Sequence, residues 1–148
     1  MHATKAGKLT GIALSVFRLN GQLLEWGDHF SAPDGLSSAR WQVLGAIALA
    51  DSAPSIPQIA AAMGISRQAV LKQINLLVEE GLVQAQPNPT HKRSPLHALT
   101  PRGEAAYRAI EKRWHAHVHE LAKRFSAADL DAALHVLSAL SALHEQAP

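Results

Sequence analysis

The sequence predicts a mainly α-helical protein of the α+β class, with about six helices and one short β-hairpin. Apolar residues recur every three or four positions through most of the chain, which is the spacing of amphipathic helices. Serines and glycines stand where helices are expected to begin and end, and residues 82–86 and 96–99 have the length and composition of short strands. The chain has 148 residues, 47% of them hydrophobic, which suits one domain with a moderate core.

Two predicted helices in the middle of the chain are the most informative stretch. Ser55 and Gln58 have the spacing of a capping box, so a helix is expected to begin at Ser55. Gly64 is expected to end it, because glycine readily adopts the left-handed conformation found at helix ends. Ser66 can then cap a second helix. A short helix, a glycine turn and a second helix are typical of a helix-turn-helix.

The second of these helices is predicted to have one buried and one polar face. The expected buried positions are Val70, Ile74, Leu77 and Val78, and the expected polar positions are Gln68, Lys72, Asn75 and Glu79. Glutamine, asparagine and lysine can read base edges in the major groove of DNA. Simple solvation of the polar face is the alternative interpretation.

The segment after this helix predicts a hairpin with a basic tip. Gly81 is expected to end the helix, and a turn-rich loop separates the two predicted strands. The loop carries Lys92 and Arg93, and arginine is favoured in narrow minor grooves. A helix-turn-helix followed by such a hairpin is a winged helix. The residues predicted to contact DNA are Ser66, Arg67, Gln68, Lys72, Gln73, Lys92 and Arg93, with plain solvation as the alternative for Arg67 and Gln73.

Two further helices are predicted before the helix-turn-helix. Residues 1–8 are expected to be frayed, and an apolar pattern over about 20 residues from Leu9 predicts the first helix. Gly27 and residues 31–35 are expected to weaken and then end it. Ser37 is expected to cap the second helix.

Two more helices are predicted after the hairpin. Pro101 suits the first position of a long helix that runs to about Arg124, and Ser126 can cap the last helix. The expected buried stripe of the long helix is Ala106, Ile110, Trp114, Val118 and Leu121.

The terminal helices are apolar on more than one side. Their apolar positions include Leu9, Ile12, Val16, Leu134, Leu137 and Leu140. Packing within one monomer is one interpretation, and a homodimer interface is favoured, because a two-fold dimer places two recognition helices about one DNA turn apart. Residues 1–35 are therefore predicted as an N-terminal dimerisation helix, residues 36–100 as a DNA-binding lobe and residues 101–148 as C-terminal dimerisation helices, within one compact domain.

Four motifs in this order resemble the MarR family of bacterial transcription regulators. They are residues 36–44 (LSSARWQVL), 65–70 (ISRQAV), 76–83 (LLVEEGLV) and 99–103 (LTPRG). The resemblance covers nearly the whole chain and implies a homodimer that binds double-stranded DNA, as a repressor released from a pseudo-palindromic operator by a small molecule. The family's wing usually reads Asp-x-Arg. Here His91-Lys92-Arg93 stands in its place, so Arg93 matches the wing arginine without the acid that braces it.

Composition and charge narrow the possible functions. Between Ser55 and Arg102 five cations stand against two acids, a net charge of +3 in a chain whose net charge is +2. The positive balance therefore lies on the stretch that contains the predicted helix-turn-helix and wing. The absence of cysteine excludes disulfides, thiolate metal sites and thiol-based sensing. No run of 18 apolar residues and no signal peptide is recognised, so a cytoplasmic protein with no membrane contact is expected.

Two sets of residues are candidates for binding an effector or a metal ion. Trp26, His29, Phe30 and Trp41 lie near the junction of the first two helices and could enclose a small aromatic effector, with core packing as the alternative. His115 and His119 are one helical turn apart, which is a spacing found in metal ligands. Two histidines at this spacing more often lie on a solvated helix face. No cofactor is required, and zinc stays open.

Three alternatives differ in their expected behaviour. A zinc-responsive regulator of the same fold would use the histidine pair. A winged-helix module that binds proteins would show no salt-dependent association with DNA. An enzyme is disfavoured, because the sequence has no glycine-rich phosphate loop, no HExxH motif and no Gly-x-Ser-x-Gly motif.

Overall fold

The computed structural model describes residues 3–145, and its architecture confirms the predicted winged helix. In chain order the elements are α1 (Lys5–Ser31), a 3-10 helix (Ala32–Asp34), α2 (Ser38–Ala48), α3 (Ile56–Met63), α4 (Arg67–Glu79), β1 (Val83–Gln86), β2 (Leu96–Leu99), α5 (Pro101–Ala122) and α6 (Ala127–Leu143). The chain divides into two compact units after Ile110, within α5. None of the helices in the described range is both long and apolar enough to span a bilayer.

The first helix begins earlier than the sequence predicts. α1 starts at Lys5 because the Thr4 hydroxyl accepts a hydrogen bond from the Gly7 amide at 2.9 Å and so caps the helix. The expectation of a frayed segment is therefore wrong for residues 5–8. Residues 1 and 2 lie outside the described residues.

Gly27 does not weaken α1, contrary to expectation. It is buried at the point where α1 meets the start of α2, and a Cβ atom there would overlap the Ser38 hydroxyl. That hydroxyl donates to the Leu24 carbonyl at 2.6 Å, and the Ser38 amide donates to the Asp28 carboxylate at 2.8 Å. Glycine at position 27 thus permits a close, hydrogen-bonded approach of the two helices.

The core of the first unit is built from α2, the helix-turn-helix, the hairpin and the first turns of α5. Val43 and Leu44 of α2, Val70 and Leu77 of α4 and Ile110 of α5 are fully buried. The complete buried apolar set is Leu36, Val43, Leu44, Ile47, Ile59, Ala60, Val70, Ile74, Leu77, Leu82, Val83 and Ile110. Because α4 buries only one stripe in this core, its opposite face is free to meet a ligand.

The local signals of the helix-turn-helix are confirmed. Ser55 and Gln58 form the capping box, in which the Ser55 amide donates to Gln58 Oε1 at 2.9 Å. Gly64 ends α3 with a φ of +68°, and Ser37 and Ser66 cap α2 and α4. The antiparallel hairpin pairs Val83 with Leu99 and Gln86 with Leu96, with residues 87–95 as the connecting segment, here called the wing loop.

The second unit contains the end of α5 and all of α6. Ser126 caps α6 as predicted, and its hydroxyl accepts a hydrogen bond from the Asp129 amide at 3.1 Å. No residue of α6 is buried in this single chain. Its apolar side chains Leu130, Leu134, Leu137 and Leu143 are exposed.

Two predictions of burial are wrong. Val78 is 43% exposed, because it lies at the edge of the α4 stripe whose centre is formed by Val70 and Leu77. Leu121 is 38% exposed, and every other residue of the stretch 119–135 is exposed too, so no other element of the single chain covers it. Ile110 is fully buried as predicted, while Trp114 and Val118 are half-buried.

His97 is an unexpected buried polar residue in β2. It is 4% exposed, and its main-chain amide donates to the Pro54 carbonyl at 2.8 Å. Its Nδ1 atom has no hydrogen-bond partner among the described residues. Burial lowers the pKa of the imidazole, an effect that outweighs the raising influence of the Pro54 carbonyl.

This lowered pKa predicts a loss of stability on acidification. Between the pKa of His97 in the folded chain and about 6.5, the unfolded chain binds more protons, so the free energy of unfolding falls as the pH falls through that window. His97 contributes at most about 1.4 kcal/mol per pH unit to the slope of the free energy of unfolding against pH. Urea denaturation at pH 7.5 and pH 5.5 measures it. His97→Gln should show a smaller difference between the two pH values, and an unchanged difference would contradict the prediction.

Candidate nucleic-acid interface

The N-terminus of α4 carries four of the residues predicted to contact DNA. The Ser66 hydroxyl accepts a hydrogen bond from the Ala69 amide at 3.1 Å and so begins the helix. Ser66, Arg67, Gln68 and Lys72 are all exposed. Gln73 is half-buried, because it lies at the flank of the buried stripe, and it is the least accessible residue of the predicted set on this helix. The backbone amides and the dipole at the N-terminus of a helix favour the approach of an anion.

The wing loop presents its cations at its tip. His91, Lys92 and Arg93 are exposed, and two turns shape the loop around them. The His91 amide donates to the Asn88 carbonyl at 3.3 Å, and the Ser94 amide donates to the His91 carbonyl at 3.1 Å. The tip is therefore a folded, positively charged projection from the hairpin.

The fold brings the two predicted arginines to one cleft. Arg67 at the start of α4 and Arg93 in the wing loop both line a cavity of about 330 Å³. The other lining residues are Ile56, Pro57, His91, Ser94 and Pro95. Lys92 lies outside this lining. Two arginines that line one open cleft make it a candidate site for a phosphate group, because planar guanidinium forks match phosphate oxygens.

The C-terminal end of α4 is held by contacts that the sequence did not predict. Arg40 of α2 forms an ion pair with the Glu80 carboxylate. Arg102 of α5 donates to the Glu80 carbonyl at 3.1 Å, and the Thr100 hydroxyl donates to the Gly81 carbonyl at 2.6 Å. These contacts connect α4 to two other helices of the same unit. No sequence signal could have paired Arg40 with a glutamate forty residues away.

Both the sequence and the fold of this chain are similar to those of known proteins. A sequence model of the MarR family matches residues 34–94, which contain the helix-turn-helix and most of the wing loop. A crystal structure of a MarR family transcription regulator superimposes with a TM-score of 0.79 at 25% identity, covering 96% of this chain and 93% of that one. The chain belongs to the MarR family. It is therefore a transcription regulator and not an enzyme.

Further relatives include proteins solved with DNA or with a ligand. An uncharacterised protein of Mycobacterium tuberculosis H37Rv is 37% identical over 106 residues, which cover 72% of this chain and 73% of the relative. A mutant MarR from E. coli complexed with operator DNA has a TM-score of 0.76 at 19% identity, covering 93% of this chain and 99% of that one. CouR from Rhodococcus jostii, bound to p-coumaroyl-CoA, has a TM-score of 0.78 at 20% identity, covering 93% and 95%. At such identities the last two comparisons show the shared fold.

In this MarR-family chain the predicted aromatic residues are stacked. The ring centroids of Trp26 and Phe30 lie 4.6 Å apart, and those of Phe30 and Trp41 lie 5.6 Å apart. Trp41 and Phe30 also pack against the core, which agrees with the packing interpretation of Trp41. His29 is exposed. The three half-buried rings form one stack where α1 meets α2.

A large cavity of the first unit was not predicted from the sequence. It lies between α2 and α3 and has a volume of about 710 Å³, which is in the range of small-molecule sites. Leu49, Ile59 and Met63 are among its apolar lining residues, and Asp51 and Gln58 are polar. This cavity depends on how α2 packs against α3, so no local pattern could have revealed it.

The histidines of α5 are not gathered into a metal site. His115 Nε2 lies 3.4 Å from a Glu111 oxygen, and the ring of His117 lies 5.9 Å from that of Trp114. His119 is exposed. Across residues 3–145 no group of three or more histidine, aspartate or glutamate side chains is placed to hold a metal ion.

Proposed function

We propose that this MarR-family regulator is a homodimeric repressor that binds a pseudo-palindromic operator and leaves it when a small molecule binds. The observation that supports this most directly is the shared cleft of Arg67 and Arg93. One of these residues begins the recognition helix α4 and the other belongs to the wing loop. A DNA backbone that meets both elements can be held by phosphate contacts while α4 enters the major groove.

Within this proposal each residue of the interface has a distinct task. Ser66 and Arg67 bind phosphate at the N-terminus of α4, and Lys92 and Arg93 extend the contact along the wing, where Arg93 can enter the minor groove. Gln68 and Lys72 read base edges from the exposed face of α4. Gln73 has a smaller share because it is half-buried.

The proposed homodimer is supported by exposed apolar surface. On α1, Leu14 is 62% exposed and Phe17 is 77% exposed. On α6, Leu134 is 64% exposed. Apolar faces of this kind on a chain that is otherwise well packed mark sites of protein association. A two-fold dimer would present two copies of α4 to successive major grooves of an operator in the cytoplasm.

The proposed effector is a small aromatic compound held by Trp26, Phe30 and Trp41, with His29 at the rim. The stacked rings supply a flat apolar surface. CouR, a protein of similar fold, binds p-coumaroyl-CoA. Release from DNA requires that the effector bind more tightly to a conformation that cannot hold the operator. No bound metal is needed in this scheme.

A selection from genomic DNA tests the proposed function. The purified protein would be mixed with sheared DNA from its own source, and the retained fragments would be sequenced. We expect one or a few intergenic sites with a two-fold sequence motif, because a symmetric dimer reads symmetric half-sites. Retention of nothing above background at low salt would favour the protein-binding alternative. Recovered sites without two-fold symmetry would contradict the homodimer.

Gln68→Ala should reduce discrimination between operator and other DNA. The side chain is exposed on α4, and removal of one bidentate hydrogen-bonded pair costs about 1–3 kcal/mol at the correct base. Affinity for the recovered operator should therefore fall about tenfold or more, while affinity for scrambled DNA should hardly change. Fluorescence anisotropy with both duplexes measures this. Equal effects on the two duplexes would show that Gln68 does not read sequence.

A further inference from the structure

The wing loop is closed by the side chain of one residue, Asn88. Its Nδ2 group donates to the Ser94 carbonyl at 2.8 Å, which joins the two ends of the tip. Its Oδ1 atom accepts hydrogen bonds from the Thr90 amide at 3.2 Å and the Thr90 hydroxyl at 2.9 Å. Asn88 is half-buried although the tip itself is exposed. One amide therefore connects the first residues of the loop to its last.

The positions of the charged residues relative to this closure are informative. His91, Lys92 and Arg93 all lie between Asn88 and Ser94, inside the closed segment. Arg93 directly precedes the residue whose carbonyl accepts the Asn88 hydrogen bond. Arg93 is bonded directly to Ser94, so a hydrogen bond that holds the Ser94 carbonyl limits the backbone freedom next to the arginine that lines the cleft.

The backbone on both sides of the closure is already restricted. Pro87 and Pro89 flank Asn88, and Pro95 follows Ser94. Proline holds φ near −65° and restricts the residue before it to extended conformations. The prolines restrict the backbone where the loop leaves β1 and returns to β2, and the strand pairing of Gln86 with Leu96 brings its ends together. Within the loop, the Asn88 side chain adds a hydrogen bond across the tip to Ser94. Together they hold the tip in one conformation before any ligand arrives.

We infer that Asn88 is the positioning residue for Arg93, and that its hydrogen bond to the Ser94 carbonyl holds this arginine at the phosphate cleft. Asn88 itself need not touch DNA. Its effect is to reduce the conformational freedom that Arg93 would lose on binding, which is the usual benefit of a preorganised loop. The inference rests on the proposed function, because it requires that Arg93 contacts DNA.

A double-mutant cycle with Asn88→Ala and Arg93→Ala tests this inference. The probe is the operator duplex recovered from the genomic selection, and affinities are compared at one salt concentration, since phosphate contacts depend strongly on salt. Arg93→Ala is expected to weaken binding about tenfold or more, and Asn88→Ala about fivefold. In the Arg93→Ala background, Asn88→Ala should have no further effect beyond a factor of about two, because the residue then has nothing to position.

Two control variants separate this role from others. Thr90→Val removes the hydroxyl bond to Asn88 but keeps the closure at Ser94, so its affinity should stay within about a factor of two of the parent protein. Asn88→Gln keeps the amide on a longer stem and should behave like Asn88→Ala. The urea midpoint should be the same for all these variants, because the loop lies outside the core.

Each outcome of the cycle has one meaning. Independent effects that multiply in the double variant would overturn the inference, as would an Asn88→Ala protein with the affinity of the parent. If Arg93→Ala does not weaken binding, the wing does not contact DNA, and the proposed role of Arg93 fails together with the inference. An effect of Arg93→Ala without an effect of Asn88→Ala would overturn the inference alone.

Discussion

Gly103→Ala is expected to destabilise the fold by about 3 kcal/mol or more. A Cβ atom at position 103 would overlap the carbonyl oxygen of Leu82 and lie 3.0 Å from its carbonyl carbon. Both are backbone atoms, so the clash cannot be relieved by rotation of a side chain. Such a loss is a large share of the roughly 5–15 kcal/mol that typically stabilise a small protein.

The expected effect extends from stability to DNA binding. The Leu82 carbonyl also accepts the Thr100 amide at 3.1 Å, and the Gly103 amide donates to the Thr100 hydroxyl at 3.1 Å. A shift of α5 away from Leu82 would disturb these contacts and the hydrogen bond from Thr100 to Gly81 at the end of α4. The affinity of the folded fraction for operator should therefore fall as well.

Gly45→Ala is the matched control for this substitution. Gly45 also lies inside a helix of the same unit, but an added Cβ would meet the Tyr107 ring at 3.6 Å, an ordinary contact. Alanine is the better helix former, so this variant should be unchanged or more stable by up to about 1 kcal/mol. Urea denaturation measures both variants. A Gly103→Ala protein as stable as Gly45→Ala would show that α5 can move away without cost.

The second large effect is expected when both arginines of the cleft are removed. Arg67→Ala/Arg93→Ala should weaken operator binding by at least about a hundredfold, because each charge-assisted hydrogen bond contributes about 1.5 kcal/mol or more and about 1.4 kcal/mol is a factor of ten. The slope of log affinity against log salt should also fall by about 0.9 for each phosphate that the variant no longer neutralises. Anisotropy titrations over a salt series measure both quantities.

A charge-matched variant distinguishes specific contacts from net charge. Arg108→Ala/Arg124→Ala removes two exposed arginines that do not line the cleft, and thus changes the net charge by the same amount. Its salt slope should equal that of the parent protein. If this control lowers affinity and slope as much as the cleft variant does, the interaction depends on overall charge and the cleft has no special role.

Local signals in the sequence predicted the elements well for a physical reason. Ser37, Ser55, Ser66 and Ser126 cap helices by bonding amides within three residues of themselves, and Gly64 and Gly81 adopt positive φ at helix ends. Interactions of this kind depend on adjacent residues alone. For the same reason the hydrogen bonds between Asn88 and Thr90 could have been predicted from their spacing, which is typical of a local asparagine turn, whereas the bond from Asn88 to Ser94 could not.

Burial was predicted less well, because a periodic apolar pattern shows which face is apolar but not whether another element covers it. The α4 pattern placed Val78 among the buried residues, and the structure leaves it exposed beside the buried Leu77. The leucines of α6 form a regular stripe, and none of them is buried in the single chain. For these side chains the predicted partner is a second copy of the protein.

The sequence by itself determined the order of the helices, most of their caps, the hairpin and the family, since these follow from short-range chemistry and from motifs in a fixed order. Only the tertiary structure decided that Arg67 and Arg93 share a cleft and that Arg40 and Arg102 hold Glu80. It also decided that Gly27 and Gly103 are sites of close approach between elements. The residues that meet in these places are far apart along the chain, by as many as 40 positions for Arg40 and Glu80, so they meet only after the helices have packed on the common core.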